Sequence, residues 1–161
     1  EIAMFMQNEG EIIAQDIYEK RVQLIEHLML KTGVSIVKTK VQDSSVLNEE
    51  YINKFDRVLL DAPCSGLGDL RHKPEIRFHL KPDNIDELTS LQKKLLEVNG
   101  QYVKEGGILV YSTCTLNKKE NEKQIQTFLK NHSEYELIEE KTLFPYIENS
   151  DGFYYAKMRR K

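Results

Sequence analysis

No stretch of this 161-residue chain approaches the roughly 18 consecutive apolar residues that a membrane span requires. No cationic-then-apolar leader opens it. Cysteine is scarce: two residues, Cys64 and Cys114, cannot build a disulfide framework. No Cys-x-x-Cys pair points to zinc or thiol redox chemistry, so no metal is expected, and a reducing cytoplasm is the expected compartment. Positive charge is not in excess either, with 23 Lys and Arg against 26 Asp and Glu and a net charge of −3. A global basic field that would gather nucleic acid is therefore excluded. Any such contact must rest on a local patch or on another domain. Internal repeats and low-complexity tracts are absent. What remains is ordinary soluble composition, 40% hydrophobic and 30% charged, in a length that fits one domain with a real core.

The hydrophobic pattern alternates between strand and helix. Glu1 to Gln7 reads as the end of a helix that Gly10 stops. Glu11 to Asp16 reads as a strand. Ile17 to Thr32 reads as a helix, with Tyr18, Val22, Ile25 and Met29 on one face and Gly33 as its stop. Val34 to Val41 and Phe55 to Leu60 are predicted strands. The polar connection between them, Gln42 to Asn53, has room for a short helical turn. Residues 62–84 hold three prolines and two glycines, the marks of a long functional loop. A helix is predicted over Ile85 to Lys104, with Leu88, Leu91, Leu95, Val98 and Tyr102 inward and Gly106-Gly107 as its stop. Ile108 to Tyr111 is the next strand. Asn117-Lys118-Lys119-Glu120 has the form of a capping box for a helix that carries Ile125, Phe128 and Leu129 inward. Tyr135 to Ile138 and Phe153 to Met158 are short strands with no helix between them, which predicts an antiparallel edge hairpin. The class is α/β with a mainly parallel sheet.

Each cysteine follows an apolar run, in Val58-Leu59-Leu60-Asp61-Ala62-Pro63-Cys64-Ser65-Gly66 and in Ile108-Leu109-Val110-Tyr111-Ser112-Thr113-Cys114-Thr115. In open α/β sheets ligands bind outside the carboxyl ends of the strands, so both thiols are expected at one pocket. A lone cysteine is ordinarily a small buried hydrophobe. Here, however, the surroundings are short and polar, Pro63 stiffens the chain, and Gly66 frees it. Asp16, Asp43 and Asp61 fall at or just past strand ends. One such acid serves equally well as a helix cap, but three in a row favour a nucleoside-bearing ligand that offers a ribose diol. Arg71, His72, Lys73, Arg77, His79 and Lys81 form the best basic patch, which a plain solvated loop would also explain. The C-terminal Lys157, Arg159, Arg160 and Lys161 form a weaker cluster.

The two cysteine motifs resemble signature motifs of the RNA 5-methylcytosine methyltransferases. Leu70-Arg71-His72-Lys73-Pro74-Glu75-Ile76 and Asp151-Gly152-Phe153-Tyr154-Tyr155-Ala156 are similar to the bacterial Sun (Fmu) branch, which methylates a cytosine in small-subunit ribosomal RNA. The resemblance implies a Rossmann-like methyltransferase fold with S-adenosyl-L-methionine as cofactor. It implies that Cys114 adds to carbon 6 of the cytosine and that Cys64 assists release of the adduct. Asp61 would contact the target base and border the cofactor, Asp16 would bind the cofactor ribose, and Asp43 would lie near its adenine. Arg71, His72, Lys73 and Arg77 would meet the RNA. The target cytosine must be single-stranded or flipped out of its stack to reach a thiol.

On the same resemblance the family's first strand and Gly-rich turn should precede Glu1. Residues 1–161 are thus expected to be a catalytic domain incomplete at its N-terminus, without the family's N-terminal RNA-binding domain, that by itself binds cofactor poorly or not at all. Two other readings stand beside this one. The chain could be a non-catalytic RNA-interaction fragment acting through the Arg71 to Lys81 loop. It could also be another nucleotide-dependent α/β enzyme, such as a dehydrogenase, with structural cysteines.

Overall fold

The structure, a computed structural model, describes the backbone of residues 1–161 and every side chain except that of His79. The chain divides into two compact units, Glu1–Val46 and Leu47–Lys161. Among the described residues no helix is long and apolar enough to cross a membrane.

The first unit holds helix α1 (Ile2–Phe5), strand β1 (Ile12–Asp16), helix α2 (Glu19–Thr32) and strand β2 (Val37–Val41). The strands pair in parallel, and Asp16 lies opposite Val41. Gly33 ends α2 in the left-handed conformation at φ 68°, which costs glycine nothing. The Val34 N–H then closes back on the Met29 carbonyl at 3.1 Å, so the strand starts at Val37 rather than at Val34. Val22 is buried as predicted, but Tyr18 precedes the helix and is 61% exposed.

The second unit is a four-stranded sheet with helices packed on it. Its elements are β3 (Phe55–Asp61), α3 (Ile76–His79), α4 (Pro82–Gly100), β4 (Val103–Thr113), α5 (Glu122–Asn131), β5 (Tyr135–Leu143), α6 (Pro145–Glu148) and β6 (Phe153–Arg160). A turn of 3₁₀-helix, Glu49–Tyr51, sits in the polar connection ahead of β3. The strand order is β3-β4-β6-β5. β3 and β4 are parallel, while β6 runs against both β4 and β5. The predicted antiparallel pair at the edge is therefore present, with β5 outermost.

In this unit three differences from the sequence reading have a visible physical reason. Helix α4 starts at Pro82, whose fixed φ suits the first helical turn, and ends at Gly100, not at Gly106-Gly107. A Cβ on Gly100 would meet the Phe128 ring at 2.9 Å, and the Gly100 carbonyl accepts from the Tyr135 hydroxyl at 2.7 Å. The chain must turn there for α5 to pack. Gly106 and Gly107 lie inside β4 instead, with Gly106 at φ 76°. Between the pairs Phe55–Val103 and Arg57–Ile108, β3 advances two residues and β4 five. The glycines absorb that bulge. Third, α5 begins at Glu122 with Asn121 at its cap, so Glu120 is not the capping-box glutamate.

The core joins Leu60, Leu95, Leu96, Leu109, Tyr111, Ile125, Phe128, Tyr154, Ala156 and Met158. Of the residues predicted to face inward along this stretch, Leu95, Val98 and Tyr102 are buried, but the buried set near the middle of α4 differs from the predicted one. Gln92 and Leu96 are buried, while Leu91 is 39% exposed.

Candidate active site

Because β3 and β4 are parallel and adjacent, with Asp61 opposite Ser112, the chain segments that follow them emerge side by side. The Ala62 N–H continues the pairing by donating to the Ser112 carbonyl at 2.9 Å. Cysteines 50 positions apart are thereby brought to an Sγ–Sγ distance of 3.0 Å, with Cys114 exposed and Cys64 half-buried. Asp61 stands beside them and accepts from the Ser112 hydroxyl at 2.9 Å.

The two thiols are unequal. Hydrogen bonding from Cys64 lowers the Cys114 thiol from 9.0 to about 7, against the opposing effects of burial and of the Asp61 charge. Cys64 shifts upward, first because its S–H is held by Cys114 and second because it is more buried. With these opposite shifts, Cys64 is the donor and Cys114 the acceptor in the polarity that favours the thiolate, the reactive form of a thiol, at Cys114.

Two further residues hold this arrangement, and neither was among the candidates drawn from sequence. Glu120 is fully buried. Its Oε1 accepts from the Ser65 N–H at 2.8 Å and from Gln92 Nε2 at 3.2 Å. Its Oε2 accepts from the Ser65 hydroxyl at 2.6 Å and from Thr115 Oγ1 at 3.3 Å. Gln92, fully buried on α4, also donates to the Pro63 carbonyl at 2.8 Å. Ser65 and Gln92 lie 55 and 28 positions from Glu120, beyond any local pattern.

The basic loop is tied to the same place. Gly68 donates to the Cys114 carbonyl and accepts from the Gly152 N–H, both at 2.9 Å. A Cβ on Gly68 would lie 1.9 Å from the Gly152 oxygen, so only glycine permits this crossing. Of the candidate RNA residues, Lys73 pairs with Asp69 at 2.8 Å, and His72 lies 3.3 Å from Asp151. Arg77 rests over the Phe78 ring at 4.6 Å, and Arg71 is exposed. The side chain of His79 lies outside the described residues. Asp69, His72 and Asp151 bring one ligand atom each within 4.8 Å of one another, the geometry of a metal-capable trio.

The first unit holds the other two acids. Asp16 ends β1; its carboxylate accepts from the Tyr18 N–H at 2.8 Å and lies 3.4 Å from Arg21. Asp43 follows β2 and accepts from the Ser45 N–H at 2.8 Å. Both make the turn-closing contacts that a cap makes. Both also sit at or just past the carboxyl ends of neighbouring parallel strands, where open α/β sheets bind ligands.

A family model described as 16S rRNA methyltransferase RsmB/F matches residues 1–159. Ribosomal RNA small subunit methyltransferase B of Yersinia enterocolitica is 36% identical over 161 residues, which cover 93% of this chain and 37% of that protein. The crystal structure of PH0851 superposes with a TM-score of 0.95 at 35% identity, over 99% of this chain and 39% of that one. The crystal structure of NSun6 from Pyrococcus horikoshii with SFG gives 0.89 at 30% identity, over 99% and 44%. The chain therefore spans about 37 to 40% of the length of the curated relatives it matches.

Proposed function

The chain belongs to the 16S rRNA methyltransferase RsmB/F family, and from that membership we propose that it carries the chemistry that methylates carbon 5 of a cytosine in 16S ribosomal RNA. The cofactor of the family is S-adenosyl-L-methionine, of which SFG is an analogue. It supplies the methyl group when bound. Asp16 and Asp43 are the residues proposed to hold its ribose and its adenine. Their carboxylates at two parallel strand ends suit that task.

The observation that carries the reading is the thiol pair, 3.0 Å apart, with Cys114 lowered to about 7 and Cys64 raised. A thiolate at neutral pH is what addition to carbon 6 of cytosine requires. The addition breaks the 5,6 double bond and makes carbon 5 nucleophilic enough to be methylated. Once the Cys114 sulfur is bonded to carbon 6 it no longer accepts from Cys64, and Cys64 is proposed to effect release: its thiol gives its proton to solvent, and the resulting thiolate takes the carbon 5 proton. The electron pair of that C–H bond re-forms the 5,6 double bond, and the carbon 6–sulfur pair leaves with Cys114 as thiolate. Asp61, oriented by Ser112, faces the base beside the thiols. Arg71, His72, Lys73 and Arg77 are proposed to meet the RNA, whose target cytosine is unstacked.

The test uses the full-length protein and RNA with 5-fluorocytosine at the target, where carbon 5 has no proton to lose. The expected result is a covalent adduct that Cys114→Ala abolishes. With ordinary RNA, Cys64→Ala is expected to accumulate an adduct because release is impaired. Normal turnover by Cys114→Ala would end the proposal. The structural-cysteine alternative predicts no adduct with either RNA.

A further inference from the structure

We infer that Glu120 is the positioning residue of the thiol pair: its buried carboxylate clamps the chain neighbours of both cysteines and so holds the Cys64 sulfur at hydrogen-bond distance from Cys114. The thiol geometry stands by itself, and its bearing on catalysis rests on the reading proposed above.

The argument begins with who flanks whom. Pro63 and Ser65 flank Cys64, and Thr115 follows Cys114. Glu120 reaches Ser65 twice, at 2.8 Å through the N–H and 2.6 Å through the hydroxyl, and Thr115 once, at 3.3 Å. The Ser65 and Thr115 hydroxyls also meet directly at 2.9 Å. Gln92 links Glu120 to the Pro63 carbonyl. Both peptide segments that carry a thiol are therefore gripped by one carboxylate.

The main chain that carries this carboxylate is itself anchored. The Tyr111 hydroxyl donates to the Glu120 carbonyl at 2.7 Å. The next residue, Asn121, accepts from Thr113 at 2.6 Å and donates to the Thr115 carbonyl at 2.9 Å. A buried carboxylate is costly unless its oxygens find donors, and here four donors surround them. An apolar side chain of similar size would fill the space but leave the buried Ser65 N–H unpaired. Segment 63–66 would then lose the carboxylate that ties it to Thr115.

The reporter is the pH at which Cys114 becomes alkylatable, read by iodoacetamide labelling and peptide mass spectrometry on the full-length protein. General unfolding tendency does not set that midpoint; the Cys64 contact does. Glu120→Ala is expected to raise it by about one pH unit. Glu120→Gln keeps a carbonyl oxygen for the Ser65 N–H and leaves hydroxyls that can turn to meet the amide, so it is expected to restore the wild-type midpoint. Should Glu120→Ala fail to fold, Ser65→Ala decides: it keeps the backbone bond, loses the hydroxyl contacts and is expected to shift in the same direction by less. An unchanged midpoint in a folded Glu120→Ala, or in Ser65→Ala when the other does not fold, overturns the inference. With 5-fluorocytosine RNA, absence of an adduct in wild type would instead overturn the proposed function and leave the midpoint test standing.

Discussion

At the residue scale the site is an asymmetry between two chemically identical groups. Cys114 is the more exposed, and its thiolate is stabilised by one short contact with Cys64. Burial and the neighbouring carboxylates of Asp61 and Asp69 work the other way. The sign follows: Cys114 is deprotonated above about pH 7 and loses reactivity as the pH falls through that value. Alkylation of Cys114 in wild type is therefore expected to be half-maximal near pH 7, and Cys64→Ala should move the midpoint up toward the ordinary 9.0. Asp61→Asn should move it down, because a negative charge that opposes the thiolate is gone. Iodoacetamide rates across pH check both, and a Cys64→Ala profile identical to wild type would show that the thiols do not communicate.

At the element scale, function depends on where β3, β4 and β6 begin and end. The two cysteine motifs were legible in the sequence because each follows an apolar run, and parallel pairing then brings their ends together. Helix α5 was legible from the period of Ile125, Phe128 and Leu129. The stop of α4 was not, because two glycine signals compete. Gly100 wins through its packing against Phe128, a contact between positions 28 apart that no window along the chain displays. Glu120 was misread for the same kind of reason: Asn117 and Glu120 match a capping box, yet the donors for Glu120 come from Ser65 and Gln92. The joint of Gly68 and Gly152 was not legible: only Gly152 lay in a motif that carried the resemblance, and the contact spans positions 84 apart. Gly68→Ala would drive a methyl group into the Gly152 carbonyl at 1.9 Å and part the basic loop from both the Cys114 carbonyl and the start of β6. Overpacking of this kind costs about 1–3 kcal/mol. The expected outcome is a lower melting temperature and a larger loss of methylation than of stability, checked by calorimetry beside a methyl-transfer assay.

For the whole molecule the decisive quantity is charge. At −3 this chain has no overall attraction for RNA, so the proposed contact must rest on a few cations in the right place or on another part of the full-length protein. Much of the C-terminal cluster is engaged within the fold. Arg160 donates to Asn53 and to the Val103 carbonyl, Lys161 to the Ser133 carbonyl, and Arg159 lies 3.9 Å from Glu136. In the loop after Cys64, Lys73 is held by Asp69, which also raises its pKa. Arg71 and Arg77 present exposed guanidinium groups instead. A cation that neutralises one phosphate of single-stranded RNA contributes about −0.7 to the slope of log affinity against log salt. Arg71→Ala and Arg77→Ala in the full-length protein are each expected to weaken binding to the target RNA and to flatten that slope by about 0.7. Lys73→Ala should flatten it less, because its charge is already shared with Asp69, and Arg159→Ala should leave it unchanged. Binding titrations at several salt concentrations distinguish these cases. Equal slopes for wild type and both arginine variants would move the RNA contact away from this loop, whatever the thiols do.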